Sequence, residues 1–108
     1  MNYLLQVTSQ AMPGRDDDYN IWYENTHMID VLGLDGFNAC TRYMYSGPGH
    51  EGPPKYVALY EVVTDDPPAL LQDLVKASAT MQISDSIDPK SVRFEFLQPI
   101  GGGRKTAG

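Results

Sequence analysis

The side chains best suited to chemistry lie close together in the first third of the chain. This stretch holds the only tryptophan, Trp22, and one of the two histidines, His27. Histidine exchanges protons near neutral pH, so His27 is a candidate general acid or base. On a helix, Tyr23 lies about one turn before His27 and Asp30 about one turn after it. We therefore expect His27 to transfer a proton and Asp30 to orient its imidazole.

Tyrosines are frequent on the elements predicted to surround this histidine. Tyr23, Tyr43 and Tyr60 are candidates to donate a hydrogen bond to a substrate oxygen and to stabilise charge that develops there. Trp22 offers an aromatic wall for a flat substrate. Each of these side chains also has a structural interpretation, because Tyr and Trp are common at half-buried positions and a histidine at a helix end can bond to backbone. The residues alone leave both interpretations open.

Metal and nucleophile chemistry receive little support from the remaining candidates. Glu24 and His27 have the i, i+3 spacing of a di-iron ligand pair, but such a site needs a second pair and two further carboxylates on four helices. His50 lies in a loop rich in Gly and Pro, where we expect it to be exposed. Cys40 has no basic neighbour in sequence to lower its thiol pKa, so we expect a small packing residue. We predict that the protein uses no metal and no organic cofactor.

Size and composition indicate one domain in a reducing compartment. The chain has 108 residues, enough for one hydrophobic core, and its single cysteine excludes an intrachain disulfide. The N-terminus lacks the basic and apolar regions of a signal peptide, and no apolar run approaches the roughly 20 residues that cross a bilayer. The formal net charge is -6 and the basic residues are scattered. We therefore expect a cytoplasmic protein that binds neither nucleic acid nor membranes.

Hydrophobic periodicity and turn residues predict six elements in the order β-α-β-β-α-β, the ferredoxin-like α+β arrangement. The predicted strands cover residues 2–9, 37–45, 55–63 and 91–98, and the predicted helices cover residues 16–32 and 67–81. Three aspartates begin the first helix, where negative charge meets the positive end of the helix dipole. Gly33 is expected to end that helix with a positive φ. Asp66 and Pro67 are the expected N-cap and first residue of the second helix.

The predicted strands carry apolar side chains on both faces, although two helices cover only one. In residues 56–63 both alternating sets of side chains are mainly apolar, whereas a sheet with one face in water would alternate more cleanly. A second copy of the chain, packed sheet against sheet, is the simplest cover for the other face. We expect residues 1–99 to form this domain and residues 100–108 to form a flexible tail. Arg42 and Glu61 are expected to form an ion pair across the second and third strands.

Several segments are similar to one protein family. They are W-Y-E-N-x-H-M-x-D-V-L at residues 22–32, G-F at 36–37, Y-V-A-L-Y-E at 56–61, D-D-P at 65–67 and M-Q-I-S-D-S-I-D at 81–88. Together they resemble the EthD-like family of the dimeric α+β barrel superfamily. The resemblance implies a homodimer whose two sheets close into a barrel, with a small-molecule cavity between sheet and helices in each subunit. It also implies that His27 points into this cavity and that Asp85 lies near its end.

The resemblance and the candidate residues lead to one main functional hypothesis and two alternatives. We expect a cofactor-free enzyme of the lyase, dehydratase or isomerase type that moves a proton on a cyclic or aromatic metabolite, in a catabolic or polyketide-type pathway. In this hypothesis the substrate contacts are Trp22, Tyr23, Tyr43, Tyr60 and Asp85. The alternatives are a cofactor-independent monooxygenase and a non-catalytic accessory protein that binds a small hydrophobic molecule. Fold resemblance does not choose between them, because one scaffold hosts many chemistries.

Overall fold

The computed structural model, which describes residues 1–45 and 47–106, contains strands and helices in the predicted order. The strands are β1 (Asn2–Ser9), β2 (Phe37–Met44), β3 (Tyr56–Val63) and β4 (Arg93–Leu97). The first helical region has three consecutive parts: α1 (Asp16–Trp22), a π-helical segment (Tyr23–His27) and α2 (Met28–Leu32). The second helix is α3 (Pro67–Ser78), and a short 3-10 turn (Pro89–Ser91) precedes β4. The ferredoxin-like β-α-β-β-α-β prediction is confirmed.

The four strands form one antiparallel sheet in the order β2-β3-β1-β4, which leaves β2 and β4 at its edges. Side chains alternate between the two faces, so Leu5 and its cross-strand partners Tyr60 and Phe96 point to the same side. Val31 from α2 and Leu74 from α3 pack in the same hydrophobic cluster as these strand residues. The core therefore lies between the sheet and the helices, and both helical regions cover the same face.

A bulge early in β2 changes which side chains of this strand face the helices. Phe37 and Ala39 pair with adjacent residues of β3, whereas residues two apart in a regular ladder have partners two apart. A shift of one residue moves all following side chains to the other face. Arg42 therefore faces the helices and Tyr43 faces away from them. The predicted alternation, with Phe37 and Tyr43 on one face, was wrong beyond the bulge.

The predicted ion pair between Arg42 and Glu61 was also wrong. In the observed register Arg42 pairs with Ala58, so the two charged residues lie on opposite faces. The Arg42 guanidinium instead donates to Asn20 Oδ1 on α1, at 2.7 Å, and lies 3.2 Å from Glu24 Oε1 in the π-helical segment. Arg42 thus ties the sheet to the first helical region.

The connection from α2 to β2 turns at Gly36 rather than at Gly33. Gly33 has a φ of -77°, which any residue adopts, so the prediction of a positive φ was wrong. Gly36 has a φ of +89°, and a Cβ there would lie 3.0 Å from the carbonyl oxygen of Val63. Both the dihedral and the close backbone approach require glycine at this position.

Both helical regions begin where predicted. Asp16 is the first residue of α1 and the first of three aspartates in its first turn. Asp66 caps α3, because its Oδ1 accepts a hydrogen bond of 3.2 Å from the Ala69 amide, and Pro67 follows as the first helical residue. α3 ends at Ser78 rather than near residue 81, and residues 79–80 form a turn.

The Gly- and Pro-rich loop and the segment after β4 lack regular structure. Residues 47–54 contain turns and bends, and residues 98–106 form neither helix nor strand. Ser46, at the start of the predicted loop, and residues 107–108 of the predicted tail lie outside the described residues. No helix within the described ranges is long and apolar enough to cross a membrane.

Candidate functional site

A cavity of about 230 Å³ lies between the sheet and the helices, on the β4 side of the sheet. Buried side chains, including Val7, Tyr23 and Tyr60, form its inner wall. Its outer wall is formed by apolar side chains that are half exposed, such as Val75 and Phe94. An engineered protein cavity of about 150 Å³ holds benzene. The space here is therefore sufficient for one ring with substituents.

His27 reaches this cavity from the end of the π-helical segment. Its ring stacks on Trp22, with centroids 4.8 Å apart and planes 24° apart, and it meets the ring of Tyr23 edge-on at 5.0 Å. Trp22 and His27 are five residues apart, and the wider turn of a π-helix, with its i to i+5 hydrogen bonds, brings residues at this spacing together. The π-helical segment therefore holds the imidazole nearly parallel to the indole.

The surroundings of His27 favour the neutral imidazole. Burial lowers the pKa of His27 below 6.5, and the charge of Asp30 opposes part of this effect. Nδ1 is buried and has no hydrogen-bond partner among the described residues. Asp30 is exposed on α2, so it acts on the ring through its charge. The expected orienting contact from Asp30 is not seen in the described residues, where stacking on Trp22 fixes the plane of the ring.

Two tyrosines of the inner wall are joined by a hydrogen bond. The oxygens of Tyr23 and Tyr60 are 3.2 Å apart and form a hydrogen bond in which either can donate. Burial raises the pKa of both phenols, so both stay protonated at neutral pH. Two phenols carry two O–H groups and use one of them in their mutual bond. One hydrogen of the pair is therefore left for a further acceptor, and the Cys40 thiol lies beside the Tyr60 hydroxyl.

A guanidinium group holds one of these phenols in place. Arg42 lies 4.5 Å from the centroid of the Tyr23 ring, within range of a cation–π contact. Its hydrogen bonds to Asn20 and Glu24 fix the guanidinium over that ring. The sequence did not indicate that Arg42 belongs to the site, because the β2 bulge that turns it toward the helices leaves no local pattern in the sequence.

Two serines at the cavity were also absent from the sequence-based candidates. Ser9 is buried and its hydroxyl bonds to that of Tyr19, while the Ser78 hydroxyl donates to the Val75 carbonyl at 2.6 Å. Both line the cavity. The alternation of β1 contained the signal for Ser9, which shares a face with Val7. No such signal marked Ser78, which depends on where α3 ends.

The remaining nucleophile and metal candidates have structural contacts. Burial raises the pKa of the Cys40 thiol to about 11, so it stays protonated at neutral pH. Glu24, which has ligand-pair spacing with His27, bonds to Arg42 instead. Within residues 1–45 and 47–106, no three side chains of His, Cys, Asp or Glu are grouped closely enough to hold a metal ion.

Two of the predicted substrate contacts lie away from the cavity. Tyr43 follows the β2 bulge, faces the open side of the sheet and is 52% exposed. Asp85 pairs with Arg15 at 3.0 Å, and its side chain is 87% exposed. The structure brings the other aromatic candidates together at the cavity, namely Trp22, Tyr23, His27 and Tyr60.

The arrangement combines a proton acceptor with hydrogen-bond donors in a mainly apolar space. A neutral imidazole accepts a proton, and protonated phenols stabilise negative charge on a nearby oxygen. These interactions are stronger in a cavity with little water than in solution. The geometry therefore suits removal of a proton from a carbon next to a carbonyl group, or from a ring hydroxyl.

Comparison with known proteins places this site on a widely used fold. No protein family model matches the sequence, and no curated protein matches it significantly. A proposed antibiotic biosynthesis monooxygenase from Bacillus cereus matches with a TM-score of 0.60 and 9% identity, over 100% of both chains. An EthD family protein from Bacillus halodurans matches with a TM-score of 0.57 and 14% identity, over 93% of this chain and 100% of that one.

A further match extends the same group. A proposed monooxygenase from Shewanella loihica has a TM-score of 0.54 and 13% identity, over 94% of this chain and 99% of that one. Identities this low carry information about the fold and not about the reaction. This chain thus has the ferredoxin-like α+β fold of EthD family and monooxygenase-type proteins, in agreement with the EthD-like resemblance of its sequence.

Proposed function

We propose that this protein is an enzyme that moves a proton on a small ring compound, with His27 as the base and without a metal or organic cofactor. The observation that carries this proposal is that His27, Tyr23 and Tyr60 line one mainly apolar cavity, with the two tyrosine hydroxyls bonded to each other. The reaction classes that fit are elimination, as in a lyase or dehydratase, and isomerisation.

The first step is the same in both classes. His27 accepts a proton from a carbon next to a carbonyl group, and the electron pair of the broken C–H bond moves onto the carbonyl oxygen as an enolate. The hydroxyl pair of Tyr23 and Tyr60 donates to that oxygen and stabilises its charge. The negative charge of Asp30 favours the imidazolium that forms.

The second step separates the two reaction classes. In an elimination, the electron pair returns from the enolate and expels a group from the next carbon, and the imidazolium protonates that group as it leaves. In an isomerisation, the imidazolium returns the proton to a different carbon of the same conjugated system. Trp22, which stacks on His27, offers a flat wall to the substrate ring.

A ring ketone tests the first step without knowledge of the natural substrate. We expect the protein to accelerate exchange of the α-protons of 2-tetralone for deuterium in D₂O, measured by proton NMR against buffer alone. His27→Gln should abolish the acceleration, because glutamine cannot accept the proton. The matched control is His50→Gln, which changes the other histidine. His50 does not line the cavity, so this variant should accelerate the exchange of 2-tetralone protons as much as the wild type does. Wild-type acceleration that survives His27→Gln would contradict the proposal.

Oxygenation is the second candidate, favoured by the two matching structures that are named as proposed monooxygenases. The same proton removal produces a carbanion that can react with O₂, so that a ring CH₂ becomes a carbonyl and the second oxygen atom leaves as water. Exchange without O₂ consumption in an oxygen electrode would favour the lyase or isomerase. Binding of 2-tetralone with no His27-dependent exchange would instead favour a non-catalytic binding protein.

We also propose that the protein acts as a homodimer. Apolar side chains stand exposed on the face of the sheet opposite the helices, where Tyr43, Val63 and Leu97 are 52%, 49% and 41% exposed. A second sheet packed on this face would remove them from water. The EthD-like resemblance of the sequence supports the same arrangement.

A further inference from the structure

Among the described residues, no side chain in the cavity wall is charged while His27 is neutral. Within the described part of the chain, fifteen residues line the cavity, and none of them is Asp, Glu, Lys or Arg. Moving a carboxylate or phosphate from water into such a space is unfavourable unless a cation meets it. The lining thus discriminates against anionic ligands.

Arg42, which supports the ring of Tyr23, is not part of this lining. It lies over the ring of Tyr23 rather than in the lining, and its side chain is 11% exposed. Glu24 and Asn20 already accept its hydrogen bonds. A ligand carboxylate would have to displace both of them and the ring of Tyr23 to reach the guanidinium.

The two ends of the cavity differ in how deeply their side chains are buried. At the inner end Tyr23, Val31 and Tyr60 are between 1% and 2% exposed. At the mouth Val75 and Phe94 are 54% and 40% exposed, respectively. The two tyrosines therefore lie at the closed end, and apolar surface that a ligand can cover lies at the open end.

Resting on the proposed function, we infer that the substrate is an uncharged ring compound with an oxygen at its inner end and an apolar substituent toward the mouth. The oxygen meets the Tyr23–Tyr60 hydroxyl pair, and the ring lies beside His27. The substituent covers Val75 and Phe94. Ring compounds whose carboxylate or phosphate would lie inside the cavity are excluded as substrates by the same lining.

Three bicyclic probes of nearly equal size test this inference by equilibrium dialysis. They are 2-tetralone, which has one uncharged oxygen, tetralin, which has none, and 2-naphthoate, which is an anion. We expect 2-tetralone to bind about tenfold more tightly than tetralin, as one hydrogen bond to a buried donor implies. Binding of 2-naphthoate should be weaker than that of both. Equal or tighter binding of 2-naphthoate overturns the inference, as does failure of 2-tetralone to bind.

Two variants test the charge and the direction separately. Ser78→Lys adds a cation to the lining and should tighten 2-naphthoate binding, whereas the neutral control Ser78→Gln should not. Phe94→Ala removes apolar surface at the mouth and should weaken the binding of 2-tetralone about three- to tenfold. This is the effect expected when a ligand loses part of its contact with one apolar side chain. Cyclohexanone, which has no second ring to reach the mouth, should bind to Phe94→Ala as it does to the wild type.

The outcomes separate this inference from the proposed function. His27-dependent exchange together with tight 2-naphthoate binding would overturn the substrate class and leave the reaction in place. Preference for 2-tetralone without His27-dependent exchange would overturn the reaction and leave the substrate class in place.

Discussion

His27 differs from an ordinary surface histidine in what surrounds its ring. Trp22 covers one face, Tyr23 meets its edge, and Nδ1 is buried without a partner among the described residues. These contacts remove water and give little support to the charged form, which is why the pKa of His27 is lowered. A base of this kind is active at a lower pH than free histidine.

This lowered pKa predicts the pH dependence of the reaction. Exchange of 2-tetralone protons should rise with pH and reach half its maximum below pH 6.5, the ordinary value for histidine. The measurement is the exchange rate per mole of protein between about pH 5 and pH 8. A midpoint above 6.5 would mean that the ring is charged in the folded protein and would contradict the neutral-base assignment.

The same shift has a consequence for stability. Between the lowered pKa of the folded protein and 6.5, the unfolded chain binds more protons at His27 than the folded one does. The free energy of unfolding should therefore fall as the pH is lowered from 6.5, and the loss is complete below the folded pKa. Urea denaturation of the wild type and of His27→Gln should show a smaller fall for the variant.

The Tyr23–Tyr60 pair predicts a specific pattern of stabilities. Replacing either residue by Phe leaves the other buried hydroxyl without its partner, which should cost about 1 to 3 kcal/mol. Replacing both removes the two polar groups together, so the double variant should lose less than the sum of the two single variants. Urea denaturation of the three variants measures the coupling.

Catalysis should follow a different pattern from stability. The single Phe variant that removes the hydroxyl donating to the substrate oxygen should slow deuterium exchange by about 10²-fold or more, the usual cost of losing one donor to a developing oxyanion. The double variant should be no faster than the slower single variant, even where its stability recovers. Strictly additive stabilities with unchanged exchange rates would show that the hydroxyl pair has no role in the site.

At the scale of elements, the π-helical segment determines the geometry of the site. Periodicity predicted one continuous helix from residue 16 to 32, and on an α-helix Tyr23 would be the ring nearest to His27. Five residues, Tyr23–His27, adopt the wider π geometry and put Trp22 face to face with His27. π-helical turns are rare and occur often at functional sites, which agrees with the position of this one.

The turn before β2 gives a prediction that separates two glycines. Gly36→Ala should destabilise the protein by roughly 1 to 3 kcal/mol, because alanine is strained at a positive φ and its Cβ would press on the Val63 carbonyl. Gly33→Ala is the matched control and should cost less, since Gly33 already has a helical φ. Thermal denaturation of the two variants measures the difference. A greater loss in Gly33→Ala would contradict this assignment of the turn.

At the scale of the whole molecule, the open face of the sheet predicts self-association. Sedimentation velocity should give a species of twice the 12.0 kDa mass of one chain. Leu59, on β3 at the centre of this face, pairs with Thr41 and Gln6 on either side. Leu59→Glu should therefore produce monomers, because a carboxylate would be buried without a partner between the sheets.

A control variant separates loss of the dimer from general disruption. Ile29 is 58% exposed on α2, outside the sheet face. Ile29→Glu adds the same charge there and should leave the dimer intact. Dissociation by both variants, or by neither, would argue against association through the sheet.

The sequence by itself determined the order of the elements and most of their ends. Alternation in the strands, apolar periodicity in the helices and the Asp66–Pro67 start of α3 depend on neighbouring residues, and these predictions agree with the structure. It also identified His27, Trp22 and Tyr23 as a group, because they lie on one helical region. Interactions between residues close in sequence were sufficient to predict these elements and this group of side chains.

Tertiary structure decided which distant side chains meet. Tyr60 reaches Tyr23 across 37 positions in sequence, and Arg42 reaches the Tyr23 ring only because a one-residue bulge turns it inward. The same bulge sends Tyr43 to the opposite face. A bulge moves every later side chain of the strand and depends on pairing with β3, so no window of the sequence around Arg42 contains it. The cavity could therefore be predicted in outline, whereas its hydroxyl pair and its supporting cation required the folded chain.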